Sequence, residues 1–199
     1  GGTFEASEMK LCFPNRLEDI AVLAYFPHAW QAQYLLGCLY YDRMNYAAAR
    51  TAWEESARLN PDDAFTWRNL AQALYDHFGE KEEARACLEK ALHLAPENAR
   101  IVYELLQLYK NINMPVKDRL AFLEAHAALA RQRDDCFLDM IVLYMQEGRF
   151  EKARELLLSK RFNIYEGGEG KLTRHHGWLY TLMGQKALEA GDFEGFLAG

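Results

Sequence analysis

Three stretches of this chain, and its scattered cysteines and histidines, carry residue types that do chemistry when their spacing is right. Gly167-Gly168-Glu169-Gly170-Lys171 has the glycines and the lysine of a loop that cradles phosphate. That chemistry needs a glycine five residues before the Gly-Lys pair and a Ser or Thr directly after it. Tyr165 and Leu172 hold those places, and no strand pattern leads into the loop. The segment therefore reads as a structural or partner-contacting loop. His175-His176, beside Arg174 and Lys171, suggests a metal. Adjacent residues on a helix point about 100° apart, so the pair makes poor co-ligands. His28, His77, His93 and His126 stand singly. Cys12, Cys38, Cys87 and Cys136 form no C-x-x-C pair and read as reduced thiols of a cytoplasmic protein. Glu80-Lys81-Glu82-Glu83 is a charge run at a helix start, where acids suit the dipole. No Ser/His/Asp or Cys/His set has usable spacing. The expectation is no enzyme activity, no cofactor and no metal.

The elements that position these residues are helical. The chain has 199 residues, half of them hydrophobic, with only five prolines. Good helix formers dominate, and alternating β-branched runs are nearly absent. A net charge of −6 argues against nucleic acid as a partner. The longest apolar run, Ile20 to Phe26, is too short to span a bilayer, and no secretory leader opens the chain.

A period organises the helices. Pro27, Pro61 and Pro96 stand 34 and 35 residues apart, which marks a repeat array. Asn15 is expected to cap a helix over Arg16–Tyr25, with Leu17, Ile20, Ala21 and Leu23 inward. Trp30–Arg43 and Tyr46–Leu59 follow, the second capped by Asn45. Gly37 is costly in a helix unless a neighbour must approach there. Ala49, Trp53 and Ser56 face inward. Residues 30–63, 64–98, 99–132 and 134–161 form four such units after a capping segment, 1–29. The second has one extra residue near Phe78-Gly79-Glu80. Pro115 suits the first turn of the third unit's second helix. A Gly-rich insert, 162–171, precedes a helix with Trp178, Leu182, Met183 and Leu188, and 172–199 make an incomplete fifth unit. Arrays of this kind end in a polar cap, so the expectation is a piece of a longer protein.

Leu36, Gly37, Tyr40, Ala49, Trp53, Ser56 and Pro61 resemble the signature of the tetratricopeptide repeat, with Gln33 where that family prefers Trp. Trp67, Leu70, Ala71, Leu74, Ala84, Leu88, Ala91 and Pro96 repeat the match. Leu105, Tyr109, Phe122 and Ala125 continue it, although Leu106 replaces the small residue and Asp118 stands near an expected Ala. The resemblance implies an all-α, right-handed α-solenoid of antiparallel helix pairs, in which the first helices line a concave groove. It places Gln31, Tyr34, Cys38, Tyr41, Arg68, Asn69, Gln72, Tyr75, Tyr103, Gln107 and Lys110 on that groove as a surface for a protein or peptide. The family's carboxylate clamp is not reproduced.

FPNRLEDIAVL, the repeats, and RFNIYEGGEGKLTRHH are also similar to the C-terminal helical region of large bacterial proteins with a carbohydrate-related N-terminal domain of unknown function. The leading expectation is a protein-interaction scaffold. It would hold a peptide, or a neighbouring domain of its own parent chain, in the groove. The alternative is a structural or oligomerisation module of a carbohydrate-active protein. A third reading takes the Gly-rich loop to a sugar.

Overall fold

A computed structural model describes residues 14–163, 170–192, 194 and 197, and every regular element among them is helical. The helices are α1 Leu17–Ala24, α2 Trp30–Asp42, α3 Tyr46–Leu59, α4 Ala64–Ala73, α5 Lys81–Leu94, α6 Ala99–Asn111, α7 Val116–Ala125, α8 Ala127–Gln132, α9 Asp134–Gln146, α10 Phe150–Leu158 and α11 Lys171–Ala190. They fall into two compact units divided after Pro96.

The N-terminal unit follows the period closely. Asn45 caps α3 through Ala48 N–H at 3.3 Å, and Asp63 caps α4 through Thr66 N–H at 2.8 Å. Such caps satisfy donors that no helix carbonyl can reach. α2 and α3 pack antiparallel along their length. A Cβ placed on Gly37 would lie 2.4 Å from the Trp53 indole. The absent side chain is therefore what admits Trp53. The Trp53 indole N–H then donates to the Tyr34 carbonyl at 3.1 Å. Ala49 and Ser56 are fully buried beside it. The Ser56 hydroxyl donates to the Trp30 carbonyl at 2.9 Å and lies 3.2 Å from the Thr66 hydroxyl, so neither buried oxygen is orphaned.

The extra residue of the second repeat is absorbed as a π-helical turn, Leu74–Phe78, closed by Gly79 at φ +71°. One added residue cannot fit a 3.6-residue turn without shifting every later side chain. A single wide turn confines the misfit. The N-terminal helix differs from expectation. Asp19 of α1, not Asn15, makes the cap, accepting from the Asn15 and Arg16 N–H groups at 3.0 and 2.9 Å. Leu23 is buried and Ile20 partly so, whereas Leu17 and Ala21 face solvent. α1 packs chiefly against α2, and one narrow stripe of it is buried.

The C-terminal unit departs further. α6 and α7 touch only briefly. Leu106 fills the small-residue position and is buried with Leu120 and Leu123. Ala125, which matches the repeat signature, is exposed, whereas Leu129 and Ala130 are buried. The second helix of this repeat is split at His126. Its ring Nδ1 takes the Phe122 carbonyl at 2.8 Å, and its own N–H moves to Leu123 O at 3.1 Å. A side chain has outcompeted the helical ladder. α7 and α8 together then pack on α9. α10 follows the Gly148 turn at φ +71°.

Leu179 and Met183 are the buried residues of α11, while Trp178 and Leu188 are exposed. The beginning of the insert is pinned to α9. Lys160 pairs with Asp134, the Asn163 N–H donates to Asp134 at 2.6 Å, and Phe162 stacks 5.9 Å from Phe137. Glu166 to Glu169 of the Gly-rich motif lie outside the described residues.

Candidate functional site on the first helices

In the N-terminal unit, α2 and α4 are the first helices of their repeats. The residues assigned to the groove are Gln31, Tyr34 and Tyr41 on α2, Arg68, Asn69 and Gln72 on α4, and Tyr75 in the π-helical turn. All are partly exposed except Gln72, which is exposed. Tyr34, Arg68 and Asn69, with Cys38, make one connected set. Asn69 donates to the Tyr34 hydroxyl at 3.4 Å and to Cys38 Sγ at 3.7 Å, and accepts from Arg68 at 3.3 Å. Tyr41 belongs to an aromatic group with Tyr46, Trp53 and His77. His77 stacks on Tyr46 at 3.4 Å between centroids, and its Nε2 lies 3.2 Å from the Tyr41 hydroxyl. Neither Tyr46 nor His77 was expected here. His77 reaches the group because the π-helical turn rotates it there, and no periodic pattern announces such a turn.

Burial sets the electrostatics of this surface. It pushes the Tyr34 and Tyr41 hydroxyls and the Cys38 thiol up from their ordinary values, so all three stay neutral near pH 7. Such a surface offers hydrogen bonds and aromatic faces, with no nucleophile. Cys87 and Cys136 are likewise pushed up, to about 11 and about 12, which makes them inert core residues.

In the C-terminal unit, Tyr103 and Gln107 of α6 are half-buried and Lys110 is exposed. The Arg133 guanidinium lies 5.0 Å from the Tyr103 ring centre and grips Asp135 at 2.7 and 3.1 Å. Gln107 donates to Asp139 at 2.7 Å. Arg133, Asp135 and Asp139 lie at or on α9, beyond the last first helix read for groove residues. The signal for Asp139 was present: it stands two repeats after Asn69, at the same register. A further cleft of about 540 Å³ lies between the start of α10 and the second half of α11, with Phe150, Arg154, Met183, Lys186 and Ala187 among its walls.

Among the described residues, no three His, Cys, Asp or Glu side chains gather as a metal set, and no helix is long and apolar enough to cross a membrane. The arrangement defines a helix-pair repeat whose first helices present mixed polar and aromatic side chains. Residues 20–64 and 34–99 match the tetratricopeptide repeat family. Together these matches cover residues 20–99, most of the N-terminal unit. Solved structures agree in fold. YrrB, described as a TPR protein with an unusual peptide-binding site, aligns at a TM-score of 0.64 and 14% identity, over 90% of this chain and 87% of that one. PilF of Pseudomonas aeruginosa gives 0.60 and 15%, over 91% and 96%. MamA gives 0.59 and 19%, over 69% and 80%.

Proposed function

We propose that this chain is a protein-interaction scaffold that holds a peptide, or a neighbouring domain, against the first helices of its repeats. The observation that carries this reading is the connected polar and aromatic surface on α2 and α4. Tyr34, Tyr41, Arg68 and Asn69 are held by hydrogen bonds and ring contacts, and with Tyr75 they remain partly exposed. Tyrosine and arginine held in this way are the residue types that dominate interface energies. The peptide-binding site in the printed description of YrrB supports the same class of ligand.

The test uses peptides selected from a random displayed library on the wild-type protein. In the double variant Arg68→Ala, Tyr75→Ala, each truncation is expected to weaken those peptides about 30-fold, near 2 kcal/mol. Far-ultraviolet circular dichroism should stay unchanged, because neither side chain is buried. Selected peptides that bind the double variant as tightly as wild type would reject the surface as the binding site.

A further inference from the structure

Among the described residues, Asp139 is an acid left without a close cation. The nearby acid Asp135 is held by Arg133, and Glu104 by Arg100. Asp139 has one hydrogen-bond partner there, the Gln107 amide at 2.7 Å, which engages a single carboxylate oxygen. No buried side-chain oxygen among the described residues lacks a partner, so its second oxygen is open to the surface. Beside it is a recess of about 50 Å³ lined by Leu106, Val142 and Leu143, by Gln146, and by the cations Lys110 and Arg119. A water needs about 10–15 Å³ of such space, so the recess has room for an ammonium head. The Arg119 Nε–H is directed to the Met114 carbonyl at 3.0 Å. Lys110 is exposed and acts on Asp139 only through its field, as does Lys171, while Asp135 opposes them. Burial pushes the Asp139 carboxyl up from its usual range, the mark of an acid whose charge is incompletely compensated.

We propose that Asp139 and the Gln107-braced recess beside it receive the ammonium of a lysine side chain from a bound peptide. This deepens the scaffold reading and rests on it. The repeat register supplies the contrast. At the equivalent place in the N-terminal unit stands Asn69, whose amide is engaged by Arg68, Tyr34 and Cys38. An amide there is satisfied by its neighbours; a carboxylate at the same place keeps an unmet charge. An ammonium in contact gives that charge a partner at hydrogen-bond distance, which the exposed Lys110 does not. Lys110 therefore competes with the ligand rather than assisting it.

The experiment titrates the whole protein with three end-capped tripeptides, Gly-Lys-Gly, Gly-norleucine-Gly and Gly-Glu-Gly. It follows the Gln107 side-chain amide by NMR. Gly-Lys-Gly should shift that resonance and bind about tenfold tighter than the norleucine peptide, with the glutamate peptide weakest. Asp139→Asn should remove the preference and Asp139→Glu retain part of it. Lys110→Gln should tighten Gly-Lys-Gly. Equal binding of lysine and norleucine peptides, no shift at Gln107, or a preference that survives in Asp139→Asn would each overturn the assignment. The norleucine arm needs no variant, so a folding defect cannot imitate that result. Those failures leave the scaffold reading standing, since it is tested separately on Arg68 and Tyr75 in the other unit.

Discussion

The two units solve the same packing problem with opposite residues. In the N-terminal unit the small-residue position is Gly37, and the Trp53 indole occupies the space a Cβ would need. α3 can therefore lie along α2, and a regular pair results. In the C-terminal unit the equivalent residue is Leu106, fully buried. Its volume keeps α7 from lying along α6; leucines fill the gap, and the second helix breaks into α7 and α8. The small residue is thus a rule about interaxial distance, not about identity. A large residue is tolerated where the partner helix is free to move and bend.

The comparison is open to breakage from both sides. Leu106→Ala should have the largest effect, about 3 kcal/mol, since it empties a fully buried leucine site. Urea unfolding would measure it. A loss below about 0.5 kcal/mol would mean Leu106 does not hold the helices apart. Gly37→Ala should cost about 2 kcal/mol from the opposite cause, an atom forced into a rigid indole. With ~4–8 °C lost per kcal/mol in a unit of this size, a melting temperature within one degree of wild type would refute the close approach.

The smallest expected effect is electrostatic and distinguishes Asp139 from Asn69. Burial raises the Asp139 pKa in the folded state above its unfolded value. Its contribution to stability is then fully present below the unfolded pKa, near ~4, and is lost as pH rises through the folded value. Asp139→Asn should remove that slope, matching wild type at acid pH and equalling or exceeding it at neutral pH. A variant less stable than wild type at pH 7 and unchanged in slope would show that the carboxylate is compensated.

Much of the N-terminal unit was legible in the sequence. Asn45 is a cap, Gly37 is a close approach, and Ala49, Trp53 and Ser56 point inward. Each is a local or periodic property. Caps depend on residues three apart, and helix faces on a period of 3.6. The same rules misread α1, where Leu17 and Ala21 face solvent. Which side of a helix is buried there depends on how few neighbours it has, and sequence spacing carries no count of neighbours.

The sequence by itself determined the helix pairs, their order and most of their ends, because those follow from short-range spacing and turn residues. Tertiary structure alone decided the rest. The π-helical turn that carries His77 to Tyr41 and Tyr46 arises where one surplus residue meets fixed packing on both sides. The split at His126 arises where a ring nitrogen and a backbone N–H contend for one carbonyl. The incompletely compensated charge of Asp139 arises because Gln107, on a different helix, reaches one oxygen, while Lys110 and Lys171 act only through their fields. Each is settled by distances between elements, and a repeat period fixes only which residues are equivalent, not what stands opposite them.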